Sequence, residues 1–397
     1  MSMRSVVLSL AAAILAVGCA TPRGAYTDGL KLNQIQVLGT HNSYAQPVDP
    51  RLLAIVDPMV GQIGASMTAR MSPEQRALFA EEHPSPASFA EGLAYDHPPL
   101  RAQLDAGLRS LEIDVYRDPA GGRFLDPAGY RALAAKGIAD PAPHDRTGLD
   151  QPGFKVLHIP DVDVRSHCPT LETCLGEIRA WSNANPGHTP LFMLLEAKAT
   201  AFPLLPNATQ VVPFDAVAFD ALDAALIEGL GRDRLITPDD VRGSYPTLEA
   251  AVRAGAWPTL AAARGKVIVL MLTATGPGAT NAYLAGHPNL EGRMAFVRAN
   301  PGERHAAFLL LDNAIVRGEE IAQRVREGYL VRTRADIETW EAKTYDLTRA
   351  EAAFASGAQV VSTDFFKPGN AFGTNYFVTL PGGGDYRCNP VNAERRC

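Results

Sequence analysis

The sequence contains a series of short apolar runs separated by longer segments, and this alternation is the strongest constraint on its fold. The clearest run, Val267 to Leu272, has six consecutive apolar residues with no polar alternation. Such runs are typical of parallel strands, which are buried on both faces. We predict eight strands of this kind, at residues 35–39, 109–115, 154–159, 191–196, 266–272, 307–311, 329–333 and 359–362.

Helical periodicity occupies several of the intervening segments, at residues 98–107, 171–183, 213–230, 314–327 and 335–356. Strands alternating with helices predict a parallel sheet, and eight such units predict an α/β fold of the single (β/α)8 TIM type. Residues 46–97 and 119–152 are too long for simple loops, so we expect helical and loop insertions at the C-terminal mouth of the barrel. No Gly/Ser-rich linker divides the chain, which predicts one domain over residues 25–397.

Composition excludes two classes of protein. The 397 residues include 37 Lys and Arg against 43 Asp and Glu, so the formal net charge is −6 and no basic excess exists to bind nucleic acid. Hydrophobic residues make up 46% and charged residues 20%, which also excludes a disordered chain. Nothing in the sequence indicates a dimer, and we expect a monomer.

The N-terminus is predicted to be an export signal. Arg4 precedes an apolar run over residues 6–17 that is interrupted only by Ser9 and is too short to span a bilayer comfortably. The run ends at Cys19, which resembles the signal of a bacterial lipoprotein, with Cys19 lipidated after removal of the preceding residues. Simple cleavage near Ala20 is the alternative. Either way we expect an exported protein, as a cell-envelope lipoprotein at the outer membrane or cell surface, or in secreted form.

Four further cysteines are compatible with export. Their spacing predicts two local disulfides, Cys168–Cys174 and Cys388–Cys397. The alternative for these four residues is a zinc site, which the oxidising environment of an exported protein and the absence of a histidine at ligand spacing from the C-terminal pair both disfavour.

Polar residues cluster at the predicted strand ends, which all open at one mouth in a parallel barrel. His41 and Asn42 follow the first strand, while Glu112 and Asp114 lie two residues apart and so face one side of the second. The third and fourth strands end at His158 and Glu196. Carboxylate and amide oxygens favour Ca²⁺ or Mg²⁺ over zinc. The carboxylates have an alternative interpretation, as partners of Arg109 or Arg101 in buried ion pairs.

Two histidines beside a divalent cation are suited to phosphodiester cleavage, because imidazoles transfer protons near neutral pH and the cation offsets phosphoryl charge. The ordered set of His41-Asn42, Glu112-x-Asp114, His158 and Glu196 closely resembles the Ca²⁺-dependent phosphoinositide-specific phospholipase C family, particularly its secreted bacterial branch. The resemblance covers residues 38–365.

The resemblance implies that Asn42, Glu112, Asp114 and Glu196 bind one Ca²⁺ ion, with Mg²⁺ less suited. It also implies that the inositol 2-hydroxyl attacks phosphorus and releases diacylglycerol and a cyclic inositol phosphate. His158 would protonate the leaving oxygen, and His41 would stabilise the charge of the transition state.

Three further residues are candidates for substrate binding at the mouth. Lys198 lies two residues beyond Glu196 and is placed to bind a phosphoryl oxygen or a headgroup hydroxyl. Arg334 and Asp364 follow the last two predicted strands, where an ion pair at the rim is the alternative.

Other functions remain open at this stage. A glycerophosphodiester phosphodiesterase or a sphingomyelinase D-like enzyme would share the barrel, but its first histidine is usually followed by Arg-Gly rather than Asn. A non-catalytic surface lipoprotein that binds lipid or glycan is a third reading. Membrane contact is expected through Cys19 and through mouth loops at residues 57–60 and 365–366.

Overall fold

The computed structural model describes residues 27–274 and 279–394. Its strands are β1 (Ile35–Thr40), β2 (Ser110–Asp118), β3 (Gly153–Val156), β4 (Leu191–Lys198), β5 (Leu235–Ile236), β6 (Val267–Ala274), β7 (Ala295–Val297), β8 (Phe308–Leu310), β9 (Leu330–Arg334), β10 (Val360–Thr363) and β11 (Arg387–Cys388).

The helices alternate with these strands along most of the chain. They are α1 (Pro50–Arg70), α2 (Pro73–Glu82), α3 (Phe89–Gly92), α4 (Leu100–Asp105), α5 (Ala128–Ala135), α6 (Leu171–Ala184), α7 (Ala216–Leu230), α8 (Pro238–Arg242), α9 (Leu248–Arg253), α10 (Leu260–Ala263), α11 (Ala279–Leu284), α12 (Ala314–Arg326), α13 (Trp340–Thr344) and α14 (Thr348–Ser356). Two 3₁₀ turns, Leu32–Gln34 and Arg232–Arg234, precede β1 and β5.

A curled parallel sheet forms the centre of the molecule. Its strands are hydrogen-bonded in the order β5-β6-β4-β2-β1-β10-β9-β8, and β7 also pairs with β6. A parallel bridge between Arg298 and Phe308 joins the end of β7 to β8, so the sheet closes on itself. The central strands are buried along their length because helices cover the outer face and side chains fill the interior. The predicted TIM-type barrel is confirmed.

The membership of the barrel differs from the prediction at one strand. The run predicted at residues 154–159 forms β3, which pairs antiparallel with the end of β2, Val115 opposite Val156, and is therefore a hairpin partner and not a barrel strand. Its place in the barrel is taken by β7, which the sequence analysis did not predict. β7 lies in an apolar run of only four residues, 294–297, between Arg293 and Arg298, whereas the equally short β8 lies in a run of six, 306–311.

Gly39 sets the spacing of the two strands that carry most of the site. It pairs with Ser110, and a Cβ atom at this position would lie 2.4 Å from the Ser110 carbonyl oxygen. Only glycine allows β1 and β2 to approach this closely. The close approach brings the end of β1 next to the carboxylates of β2.

The insertion after β1 is helical, as predicted, and contains α1, α2 and α3. Ser72 begins α2 with a capping box in which its side chain accepts from the Gln75 backbone. Leu52 and Val56 anchor the first half of α1 in the core, whereas no residue from 61 to 80 is buried. By length and composition α1 would also pass as a membrane span, although such helices occur in soluble proteins.

The expected mouth loops differ from this arrangement. Residues 57–60 lie within α1 and not in a loop, because the apolar periodicity of the helix continues through Pro58. Phe365 is buried and packs edge-on against Tyr376, while Phe366 is only partly buried. The helical insertion carries exposed apolar side chains of its own, Ile63, Met67, Leu78 and Phe79.

One predicted helix is divided in two. The segment predicted at residues 335–356 forms α13 and α14, which are separated at Tyr345, where φ is positive. Glu338 and Thr339 also have positive φ, so the first helix begins only after them.

The predicted disulfide Cys168–Cys174 is confirmed, with the Cα atoms 5.1 Å apart, which removes the zinc alternative for this pair. Cys397, the expected partner of Cys388, lies outside the described residues, and so do the predicted signal at residues 1–19 and Cys19.

Candidate active site and metal centre

Three carboxylates meet at the C-terminal end of the barrel. Glu112 and Asp114 lie two residues apart on β2, and Asp114 pairs in register with Glu196 on β4. One oxygen from each of the three side chains lies within 4.8 Å of the others. The period of two along a strand and the parallel register therefore bring together residues that are far apart in the sequence.

The chemistry of this cluster fits a divalent cation. Burial raises the pKa of Glu112 to about 8, although the Arg332 guanidinium opposes this shift. Burial also raises the pKa of Glu196. Asp114 is fully buried, and its Oδ1 atom has no hydrogen-bond partner. Three crowded carboxylates with an unsatisfied oxygen are a hard-oxygen donor set that a Ca²⁺ ion would satisfy.

Asn42 is held beside the cluster by two buried phenols. Its Nδ2 donates to Tyr95 Oη at 2.7 Å, and Tyr44 Oη lies 3.5 Å from Asn42 Oδ1. Burial raises the pKa of both tyrosines well above the usual value, so they remain neutral. The bond from Nδ2 to Tyr95 fixes the orientation of the amide, and Oδ1 is the atom that it can offer to a cation.

His41 is oriented by the carboxylate of Asp364, which follows the last barrel strand, β10. Its Nδ1 lies 2.9 Å from Asp364 Oδ1, and Arg334 Nη2 lies 3.2 Å from the other oxygen of Asp364. Burial and Arg334 lower the pKa of His41 to about 4, although Asp364 acts in the opposite direction. When His41 is neutral and its Nδ1 donates a hydrogen bond to Asp364, its Nε2 carries no proton. This Nε2 faces the mouth and lies 3.8 Å from Glu112 Oε1.

His158 has the same type of partner. Its Nδ1 lies 2.9 Å from Asp163 Oδ2, and the backbone turn between them is closed by hydrogen bonds from His158 N and Ile159 N to Asp163 O. The His41 and His158 rings are edge-to-face with centroids 6.4 Å apart. Two aspartate-oriented imidazoles thus face each other at a separation that suits a phosphoryl group between them.

Two basic side chains are paired with the carboxylates. Lys198 Nζ lies 2.9 Å from Asp114 Oδ2 and 3.8 Å from Glu196, as expected from its position two residues beyond Glu196. Burial opposes the charge of Lys198, but these two carboxylates outweigh it and raise its pKa. Arg332 Nη2 lies 2.9 Å from Glu112 Oε2.

The predicted site residues therefore lie together at one mouth, and the alternative ion pairs are wrong. Arg109 pairs with Asp385 and Arg101 with Asp105, so neither contacts the cluster. The predicted rim pair is present between Arg334 and Asp364. These contacts show where the predicted site residues lie. The catalytic, metal-binding and substrate-binding roles assigned to them stay predictions.

Sequence reasoning missed Asp163, Tyr95 and Arg332. Asp163 had a usable signal, since the Pro-Asp turn after His158 returns the chain toward the histidine. Tyr95 lies in the long insertion, where no periodicity places it near the barrel. Arg332 lies inside a predicted strand, and its partner on another strand is visible only in the closed barrel.

A parallel barrel whose mouth holds paired imidazoles beside a buried carboxylate cluster is typical of metal-dependent enzymes that cleave phosphodiesters. A comparison with known protein families identifies the family within this class of enzymes. The family described as "Phosphoinositide phospholipase C, Ca2+-dependent" matches residues 30–390, and the chain belongs to this family of phosphodiesterases.

The chain is similar to solved structures of bacterial enzymes, two of which follow. A calcium-dependent phosphoinositol-specific phospholipase C from the Gram-negative Pseudomonas sp. has a TM-score of 0.51 at 13% identity, covering 91% of this chain and 96% of that one. A Ca²⁺-dependent phosphatidylinositol-specific phospholipase C from Streptomyces antibioticus has a TM-score of 0.49 at 18% identity, covering 84% and 95%. A search of curated protein sequences found no significant match.

Proposed function

We propose that the protein cleaves phosphatidylinositol-like phosphodiesters to diacylglycerol and a cyclic inositol phosphate in a Ca²⁺-dependent reaction. One observation carries this proposal: two imidazoles, each oriented by its own aspartate, face each other beside a buried three-carboxylate cluster. Membership of the phosphoinositide phospholipase C family supports the choice of substrate.

The proposed metal ligands are Asn42, Glu112, Asp114 and Glu196. A bound Ca²⁺ would offset charge on the phosphoryl oxygens and acidify the attacking 2-hydroxyl of inositol. The three carboxylates and the Asn42 amide together form the donor set, and one of the carboxylates accepts the hydroxyl proton. A single ion is proposed because the three carboxylates form one compact cluster.

The two histidines have different proposed tasks. His158, oriented by Asp163, donates a proton to the oxygen of the departing diacylglycerol. Arg334, beside His41, supplies fixed positive charge for the negative charge that develops on the phosphoryl oxygens, and His41 adds to it as the imidazolium, which Asp364 and an anionic phosphodiester both favour and whose Nε2 carries a proton to donate. Asp364 acts chiefly by holding His41 and Arg334, which is a more specific role than the substrate contact expected from the sequence.

Lys198 and Arg334 are the proposed substrate contacts. Both side chains lie at the mouth with about one-seventh of their surface exposed. Arg334 Nε is buried without a hydrogen-bond partner, so it has a donor to offer to a phosphoryl or inositol oxygen.

Access to the lipid is proposed to involve two membrane contacts. Cys19 would anchor the exported chain in the cell envelope as a lipoprotein. The α1–α2 insertion would contact the bilayer through Ile63, Met67, Leu78 and Phe79, which are 39–57% exposed. This insertion begins directly after His41 and Asn42, so membrane contact there would place the mouth over its substrate.

The test is hydrolysis of phosphatidylinositol in mixed micelles, with products identified by phosphorus NMR in Ca²⁺ and in EGTA. We expect Ca²⁺-dependent release of a cyclic inositol phosphate, abolished by His41→Ala. His287→Ala is the matched control, because His287 Nδ1 donates to the Glu291 carbonyl oxygen within its own turn. Cleavage of glycerophosphodiesters or sphingomyelin instead of phosphatidylinositol would establish the alternative enzymes. Absence of cleavage with any divalent cation would favour a binding protein.

A further inference from the structure

Arg332 is an arginine in the interior of the barrel. It lies in the middle of β9, and only 2% of its surface is exposed. A buried guanidinium is costly unless fixed partners satisfy its donors. The position of Arg332 therefore requires fixed partners, and those partners connect it to the candidate metal centre.

Its three nitrogen atoms contact three different strands or strand ends. Nη2 donates to Glu112 Oε2 at 2.9 Å, and Nε donates to Ser362 Oγ at 3.2 Å. Nη1 donates to Asp312, which follows β8. The guanidinium is thus held from two sides while it binds one oxygen of Glu112.

This contact determines which oxygen Glu112 can offer. With Oε2 engaged by Arg332, Oε1 is the oxygen that faces the mouth, where it lies 3.8 Å from His41 Nε2. The same division occurs at Asp114, whose Oδ2 contacts Lys198 while Oδ1 has no partner. Each buried carboxylate therefore presents a single free oxygen.

We propose that Arg332 is a positioning residue that holds Glu112 as a one-oxygen ligand and so fixes the geometry of the cation site. This inference rests on the proposed function, because it assumes that Glu112 binds the ion. Partners outside the ligand shell orient the ligands in metal sites generally, and their loss typically reduces metal affinity by about 10- to 100-fold.

The test is Ca²⁺ affinity, measured by isothermal titration calorimetry on the purified protein without substrate. We expect Arg332→Met to weaken Ca²⁺ binding by about 10- to 100-fold. Asp312→Asn, which removes only the far anchor of the guanidinium, should weaken binding less and in the same direction. Arg332→Lys keeps the charge but cannot span three acceptors, so it should not restore full affinity.

Arg293→Met is the matched control. The side chain of Arg293 is as buried as that of Arg332, each 3% exposed, and it also bridges two acidic residues, Asp220 and Asp223. This control should lose stability while its Ca²⁺ affinity stays within about twofold of the original, since the pair lies outside the cluster.

The outcomes separate the two proposals. If the unmodified protein binds no Ca²⁺, the proposed Ca²⁺-dependent function is wrong. If it binds Ca²⁺ and Arg332→Met binds equally or more tightly, Arg332 acts only as an opposing charge and the positioning role is wrong. Should Arg332→Met fail to fold, unchanged affinities in both Arg332→Lys and Asp312→Asn would overturn the inference.

Discussion

The two imidazoles at the mouth depend on aspartates that hold their inner nitrogen atoms. Asp364 lies 2.9 Å from His41 and Asp163 lies 2.9 Å from His158. A carboxylate in this position keeps a proton on Nδ1 and stabilises the imidazolium, whose Nε2 proton is the one available to the substrate. An amide of the same shape can instead donate its own hydrogen to Nδ1 and favour the wrong tautomer.

We therefore expect Asp364→Asn and Asp163→Asn each to reduce kcat by about 10²- to 10⁴-fold. Ca²⁺ affinity should change little, because neither aspartate belongs to the carboxylate cluster. The measurements are phosphatidylinositol turnover and calorimetric Ca²⁺ titration. Asp385→Asn serves as control, since Asp385 contacts only Arg109 on the opposite side of the barrel. A variant with full turnover would show that its histidine does not need the aspartate.

The residues that could be predicted from the sequence are those at strand ends. His41, Glu112 and Glu196 were recognisable because each follows or belongs to an apolar run and parallel strands open at one mouth. Asp163 and Tyr95 lie outside such runs, and their contacts arise from a turn and from the packing of an insertion. Strand patterns therefore predict ligand positions well, but they do not predict the partners that orient them.

Among the elements, the α1–α2 insertion has the least support from the rest of the protein. The first half of α1 is packed, but the chain carries no charge from Pro58 to Ala69 and no residue from 61 to 80 is buried. An exposed apolar surface of this kind marks an interaction site, and lipid is the partner that the proposed substrate indicates.

We expect the double substitution Ile63→Glu and Met67→Glu to weaken binding to phosphatidylinositol vesicles by about tenfold or more, since burying each charge in the interface is costly. Vesicle sedimentation measures the effect. Turnover of a water-soluble inositol phosphodiester should be unchanged, because neither residue contacts the site. Val217→Glu is the control, as Val217 is 70% exposed but lies on α7. Equal vesicle binding by all three proteins would contradict the membrane role of the insertion.

The end of the insertion is held to the barrel by an ion pair that depends on pH. His83 Nδ1 lies 2.6 Å from Glu338 Oε1, and this bond raises the pKa of His83 above its ordinary value of 6.5, although burial opposes it. Because the folded pKa is the higher one, the stabilisation is fully present below pH 6.5 and is lost as pH rises through the folded pKa.

His83→Gln should therefore destabilise the protein at pH 5.5 and not at pH 9. The His83 side chain is 46% exposed, so the difference in unfolding free energy should be at most about 1 kcal/mol. Urea unfolding at both pH values measures it. In the Glu338→Gln background the same substitution should have no pH-dependent effect. Equal destabilisation at both pH values would show that the charge of His83 does not contribute.

The strands were predictable in proportion to the length of the apolar run around them. β6 and β4 follow from long unbroken runs, and β8, with three residues, lies in a run of six, whereas β7 and β5 lie in shorter runs. The apolar run at residues 154–159 correctly predicts a strand, β3. Its antiparallel pairing with β2 depends on how the intervening chain folds back, which the run itself does not show. Local pattern predicts that a strand forms, and only tertiary packing decides which sheet position it takes.

Considered as a whole, the molecule combines a negative net charge with a site where opposite charges nearly balance. The three clustered carboxylates are paired with Lys198 and Arg332, so with all three ionised, as cation binding requires, the cluster carries one excess negative charge. The proposed ligands come from the end of β1, from β2 and from β4. A bound ion would therefore join three segments that the unfolded chain separates.

This connectivity predicts that Ca²⁺ stabilises the whole protein. A ligand that binds only the folded state adds about 2.7 kcal/mol to the unfolding free energy at a concentration 100 times its Kd. We expect the melting temperature to rise in Ca²⁺ and to fall again in EGTA. Glu196→Gln should remove most of this increment without preventing folding, because Glu196 is only partly buried. Glu303→Gln, at an exposed position, should retain the full increment. A melting temperature that is the same in Ca²⁺ and in EGTA would mean that these carboxylates do not form a calcium site.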